Sequence, residues 1–249
     1  MIPKKIHYCW FGGGEPTESV LKCIESWKKV CPEYEIIQWN ETNYNIDQNE
    51  YIKQAYNSKK WAFVSDYARL DILYNHGGIY LDTDVELIKN LDPLLKNKAF
   101  VGKEGVDSIS TGLGVGSEKG LPIVKDLRDI YDKMEFFVNG KPNEVTCVEI
   151  TTKYLQEHGY QNNDEFQNIK ELSIYPIDYF CPLKPGSMKL NITKNTYSIH
   201  WFEGSWKNSN KILRKFEFYL IPLKKISKKT INKLFGEDSY EKLKLKIKN

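Results

Sequence analysis

The 249 residues are enough for one α/β domain with elaborations and a sizeable core. With 41% hydrophobic and 28% charged residues, the composition excludes a disordered chain, and no window approaches the ~18 apolar residues of a membrane-spanning helix. The net charge of +3 is unevenly spread: residues 207–249 hold 13 Lys/Arg against 4 Asp/Glu, a net of +9, which leaves the first 206 residues at −6.

The opening Met1-Ile2-Pro3-Lys4-Lys5-Ile6 has neither an apolar signal core nor a cleavage site, so the expected location is cytoplasmic. Five cysteines (Cys9, Cys23, Cys31, Cys147, Cys181) are odd in number, form no C-x-x-C pair and read as buried free thiols of a reducing compartment. Ile6, Tyr8 and Trp10 alternate with His7 and Cys9, the period of a strand, and Gly12-Gly13-Gly14 follows. A glycine run after a first strand is where many α/β folds begin a nucleotide-binding loop. It is neither G-x-G-x-x-G nor a P-loop, which argues against dinucleotide or NTPase chemistry. His7 reads as a core histidine.

Residues 16–31 form an amphipathic helix pattern with Val20, Leu21, Ile24 and Trp27 on its apolar stripe, bounded by Pro32. Residues 35–39 read as a strand, 40–49 as a polar loop and 50–57 as a further helix. Strand–helix–strand–helix order suggests a Rossmann-like arrangement.

Residues 61–84 are the most informative stretch: a helix, a Gly77-Gly78 stop, the short apolar strand Ile79-Tyr80-Leu81, and the pair Asp82 and Asp84. On an extended chain these carboxylates point the same way, roughly 7 Å apart, and a divalent cation could draw them together. Asp66 and Arg69, three apart, share one face of a helix whose core stripe is Trp61, Val64, Ala68 and Ile72. Two readings of that pair stand: a structural ion pair, or a polar wall of a nucleotide site.

Further on, residues 85–88 and 99–102 read as strands, and 91–95 as a helical turn. The small residues of 108–116 read as a loop, 122–137 and 146–158 as amphipathic helices, and 173–177 and 179–182 as short extended segments. Glu104 is a candidate for the acceptor side or a solvated acid. The middle third carries no catalytic pattern. Residues 197–206 read as a strand ending in His200, followed by Glu203 and a Gly204-Ser205-Trp206 turn. His200 reads either as core or as a metal ligand beside carboxylates. The lysine-rich tail reads as solvated helical faces, or as a surface docking on an anionic membrane. It lacks a recognisable nucleic-acid module, so no nucleic-acid partner is expected.

As an ordered set, Ser65-Asp66, Arg69, Gly77-Gly78-Ile79-Tyr80 and Asp82-Thr83-Asp84 resemble the DXD sugar-binding region of glycosyltransferase family 32. That family includes bacterial capsular-polysaccharide and other surface-glycan transferases and the yeast initiating outer-chain mannosyltransferase, and it is related to the glucosylating domains of large clostridial toxins. The resemblance covers residues 1–95, with a second short match at 199–206.

It implies a GT-A-type, Rossmann-like α/β domain with a mixed central sheet over residues 1–206, and the basic 207–249 segment reads from its composition as a helical extension packed on the same domain. The resemblance implies Asp84 as a direct metal ligand, and Asp82 on the ribose, reaching the metal directly or through water. Asp66 and Arg69 would bind donor-sugar hydroxyls, with Arg69 also a candidate for phosphate. Tyr80 would lie near the diphosphate or sugar, Trp10 on the base (with a core role as the alternative), and Ser205 and Trp206 near the phosphates. His200 would join the metal, with Glu203 as a competing ligand. Where family members carry an Asn and a small apolar stretch facing the donor sugar, this chain has Ser110-Thr111-Gly112.

The implied activity is retaining transfer from a nucleotide-sugar with Mn²⁺ or Mg²⁺ as cofactor. UDP is the expected nucleotide, although mannosyl members use GDP. A glycan or lipid-linked glycan of surface-polysaccharide synthesis would accept the sugar. Two rivals are a metal-dependent nucleotidyltransferase and a noncatalytic carbohydrate-binding module. The first lacks a basic triphosphate loop, and the second leaves the Asp66/Arg69 and Asp82/Asp84 pairs unexplained.

Overall fold

The computed structural model describes residues 1–184 and 189–203. In chain order its elements are β1 (Lys5–Cys9), α1 (Glu18–Val30), β2 (Glu35–Trp39), α2 (Glu50–Asn57), α3 (Trp61–His76), β3 (Gly78–Tyr80), β4 (Val85–Leu87), β5 (Ala99–Gly105), β6 (Ser108–Ser117), α4 (Pro122–Tyr131), β7 (Phe137–Val138), β8 (Lys141–Pro142), α5 (Cys147–Glu157), β9 (Gln167–Ile169), β10 (Leu172–Tyr175), α6 (Ile177–Phe180) and β11 (Ser198–His200).

The helices begin where side chains can satisfy their first N–H groups. Thr17 accepts from the Val20 N–H, Asn49 from that of Ile52, and Thr146 and Glu149 form a reciprocal capping box at α5. Helix α3 is buried on every side along most of its length, which explains why its sequence is apolar almost all round. It stops at Gly77, whose φ of 65° is the left-handed conformation glycine tolerates.

A seven-stranded mixed sheet runs in the order β2-β1-β3-β6-β5-β10-β9. Strand β1 is parallel to both β2 and β3, and β6 runs antiparallel to both β3 and β5. The chain leaves β1 toward β2 and then returns to its other side as β3. The ends of β1 and β3 therefore form a topological switch point, where α/β sheets open a crevice for ligands. Gly12–Gly14 follow β1 there and Asp82 follows β3. A separate antiparallel pair, β4 with β11, sets His200 opposite Val85.

Three expectations are corrected. Residues 108–116 are no loop but most of the ten-residue strand β6, buried almost throughout. Its glycines mark close approach: a Cβ at Gly116 would overlap the Phe100 ring, and one at Gly112 the Asp82 carboxylate. Residues 179–182, expected extended, start inside α6, where Phe180 stacks on Phe100 at 5.8 Å. Helix α4 ends at Tyr131, short of residue 137. There the chain turns into an exposed hairpin, β7–β8, through Asn139 and Gly140, both with positive φ as a type I′ turn requires.

All five cysteines are buried thiols, none of them in a disulfide among the described residues. Among the described residues no helix is long and apolar enough to cross a membrane. The chain divides into two compact units, Met1–Pro182 with Asn191–Trp201, and Leu183–Leu190 with Phe202–Asn249. In the second, Leu183 and Leu190 form an antiparallel bridge. The basic extension expected over 207–249 lies outside the described residues.

Candidate active site

The two carboxylates are drawn together by a turn, not by an extended strand. The Asp82 N–H donates to the Gly112 carbonyl at 3.1 Å, and the Val85 N–H closes back on the Asp82 carbonyl at 3.0 Å. The β4–β11 register then carries His200 to the same place. Its Nε2 lies 3.0 Å from Asp84 Oδ1, and the Trp201 N–H donates to the Asp84 carbonyl at 3.0 Å. One ligand atom each from Asp82, Asp84 and His200 fall within 4.8 Å of one another. Two carboxylates and an imidazole are a donor set suited to Mn²⁺ or Mg²⁺. Burial alone would lower the His200 imidazole. The Asp84 carboxylate beside it, with Asp82 and Glu104 farther off, outweighs that and holds it up at about 9.

Arg69 connects this triad to α3. Its Nη1 lies 2.8 Å from Asp66 Oδ1 and its Nη2 2.9 Å from Asp82 Oδ1. Nη1 also reaches Thr111 Oγ1 and Cys147 Sγ, each at 3.1 Å. The guanidinium lies over the Tyr80 ring, 4.9 Å from its centre, and the Tyr80 hydroxyl donates to Asp82 Oδ1 at 3.1 Å. Burial works against the charge on Arg69, but Asp82 and Asp66 more than offset it and keep the group cationic. Burial raises the carboxyls of Asp66 and Asp82, and Arg69 opposes that rise in both. Arg69 Nε is buried without a hydrogen-bond partner among the described residues.

Asp66 and Arg69 are thus the ion pair expected on one helix face, and the same pair extends to the DXD turn. Tyr80 is buried beneath Arg69 and Asp82. Trp10 directly follows β1 and is half-buried, its indole N–H donating to the Gly14 carbonyl at 2.5 Å. The Trp61 indole fills the space where Gly12 lacks a side chain, and the Gly12 N–H donates to Glu41 Oε1 at 2.6 Å. His7 is the core histidine expected: Trp39 Nε1 donates to its Nδ1 at 3.1 Å, so its Nε2–H donates to the Gly77 carbonyl at 2.9 Å. Ser205 and Trp206 lie outside the described residues, and Glu203 belongs to the second unit.

Sequence reasoning set Thr111 and Gly112 at the stretch facing the donor sugar without giving them partners here, and it missed Cys147. The capping box Thr146-x-x-Glu149 does mark Cys147 as the first residue of a helix. No local pattern says that this helix starts against Arg69.

Residues 17–101 match the model of the glycosyltransferase sugar-binding region containing the DXD motif. Inositol phosphoceramide mannosyltransferase 3 of Schizosaccharomyces pombe is 34% identical over 134 residues, covering 49% of this chain and 35% of that protein. Mannosyl phosphorylinositol ceramide synthase SUR1 of Saccharomyces cerevisiae is 31% identical over 146 residues, covering 55% of this chain and 37% of its own length. The matches span about a third of these curated relatives. Among solved structures, PaToxG Glycosyltransferase superposes with a TM-score of 0.50 at 19% identity, over 63% of this chain and 69% of its own. That likeness shows the fold, the GT-A type with a mixed central sheet. On these matches the chain is similar to DXD-motif glycosyltransferases over residues 17–101.

Proposed function

We propose that the chain is a metal-dependent, retaining glycosyltransferase that moves a hexose from a nucleotide-sugar to a glycan or lipid-linked glycan. The observation that carries this is the meeting of Asp82, Asp84 and His200 beside the buried Asp66–Arg69 pair at the switch point of the sheet. Asp82, Asp84 and His200 would hold Mn²⁺ or Mg²⁺. When bound, the ion supplies Lewis-acid neutralisation of the diphosphate leaving group.

Asp66 and Arg69 would orient the donor sugar. Arg69 has Nη1 and Nη2 engaged by protein groups, and its buried Nε–H has no partner among the described residues. Its position beside the DXD turn would stabilise negative charge developing as the bond from anomeric carbon to phosphate breaks. Trp10 would stack on the base at the end of β1, and Ser205 and Trp206 would approach the phosphates. In a front-face displacement, the acceptor oxygen bonds to the anomeric carbon on the face the phosphate leaves, and the departing phosphate oxygen takes the acceptor's proton. Trapping a covalent glycosyl-enzyme would overturn that step.

UDP is the nucleotide first expected. The mannosyl transfer named for the yeast relatives makes GDP-mannose the donor to test beside it. A lipid-linked acceptor would fit peripheral contact of the basic 207–249 segment with an anionic membrane. Surface-polysaccharide synthesis, capsule included, is the proposed setting.

The test is donor hydrolysis by the purified chain across UDP-Gal, UDP-Glc, UDP-GlcNAc, UDP-GalNAc and GDP-Man, each with Mn²⁺, with EDTA and with Asp84→Ala. Turnover of one donor that needs both metal and Asp84 is the expected result. No turnover together with no metal-dependent binding of UDP or GDP would sink the reading.

A further inference from the structure

Cys147 stands at the first turn of α5, a residue to which no local sequence pattern assigns chemistry. Its Sγ accepts from Arg69 Nη1 at 3.1 Å. The same Nη1 lies 2.8 Å from Asp66 Oδ1. The thiol therefore meets the ion pair at the nitrogen that binds Asp66. Thr146 and Glu149 fix the start of α5 through their capping box, so the sulfur is delivered from a rigid element.

Burial, reinforced by the Asp66 charge, pushes the Cys147 thiol up, so it stays neutral beside Arg69. Arg69 Nη1 is shared among Asp66, Thr111 and Cys147, while the buried Nε is left without a partner among the described residues.

We infer that Cys147 is a positioning residue for the donor sugar: by holding Arg69 Nη1 beside Asp66 it sets the rotamer in which the pair meets the sugar. This rests on the proposed function and deepens it, because it ties sugar recognition, as distinct from nucleotide or metal binding, to the start of α5. The thiol touches neither the DXD carboxylates nor His200 in the hydrogen bonds described, so its loss separates the two kinds of binding.

The experiment compares wild type, Cys147→Ala and Cys147→Ser. It measures, with Mn²⁺ present, the affinities for UDP-glucose and GDP-mannose against those for UDP and GDP, together with thermal unfolding. In Cys147→Ala the affinity for nucleoside diphosphate is expected to hold. The ratio of nucleotide-sugar to nucleoside-diphosphate affinity is expected to fall about tenfold, the size typical for lost hydrogen bonds to charged groups. Cys147→Ser, whose hydroxyl can both donate and accept, should restore the ratio to within about twofold. If Cys147→Ala does not fold, Cys147→Val fills the space without the polar atom and takes its place.

An unchanged ratio in the alanine or valine variant overturns the inference. So does a serine variant that behaves like alanine, since mere packing would be lost in both. A wild-type chain that binds no nucleotide with metal overturns the proposed function, and the positioning role falls with it.

Discussion

On one side of α3, Arg69 lies between Asp66 and Asp82 with one buried nitrogen left unpaired among the described residues. On the other side, Asp71 is saturated. Tyr44 and Gln48 donate to its Oδ2 at 3.1 and 3.2 Å, and Asn75 and Arg128 to its Oδ1 at 2.9 and 3.2 Å. Arg128 is itself paired again with Asp129 and lies over the Tyr74 ring. The helix then ends at Gly77, whose carbonyl is taken by His7. Both sides bury charge against its desolvation cost. The Asp71 side satisfies that charge with four side-chain donors, which is what a fixed structural element requires. The Arg69 side leaves Nε without a partner among the described residues, while its Nη2 meets Asp82 of the DXD turn. Saturation, more than burial, separates the supporting charges of this helix from those available to a ligand.

That comparison can be broken most sharply by exchanging the targets. Asp84→Asn should lower donor turnover about a thousandfold, the scale of losing a group that stabilises charge in the transition state, with little change in unfolding temperature. Asp71→Ala should do the reverse. It leaves Arg128 without its partner on α3 and costs about 3 kcal/mol of stability in denaturant unfolding, while turnover by the folded protein is unchanged. An Asp71→Ala protein that folds normally but has lost turnover would end the distinction.

The His7 end of α3 gives a pH test. Burial depresses its imidazole to about 4, against 6.5 in the unfolded chain. The native state therefore refuses a proton that the unfolded state accepts between those pH values. Stability should be fully present above about pH 6.5 and fall as pH drops toward 4, by up to about 3 kcal/mol. Urea melts across that range check it, and replacing His7 with an apolar residue should flatten the slope. The smallest effect is expected at Thr146→Ala, which removes the α5 cap and should cost about 1 kcal/mol.

Much of the first half of the chain was legible because its signals are local. Strand alternation over 5–9, the helix of 61–76 and its glycine stop, and the pairing of Asp66 with Arg69 at i,i+3 all follow from periods within a few residues. Strand β6 was misread for the converse reason. Glycine and serine suggest a loop when only chain propensity is weighed, but Gly112 and Gly116 are small because Asp82 and Phe100 press on them from distant segments. Short α6 was hidden likewise, its conformation set by aromatic stacking of Phe180 on Phe100 and Tyr197.

By itself the sequence determined the elements around the DXD turn, the pairing of charges on α3 and the presence of carboxylates where a β-strand ends, because these depend on neighbours along the chain. Only the tertiary structure decided that the DXD is a closed turn, that β11 brings His200 to Asp84, and that Cys147 and Thr111 hold Arg69 in place. Those contacts join residues far apart in the chain through strand register and helix packing, which no local period records.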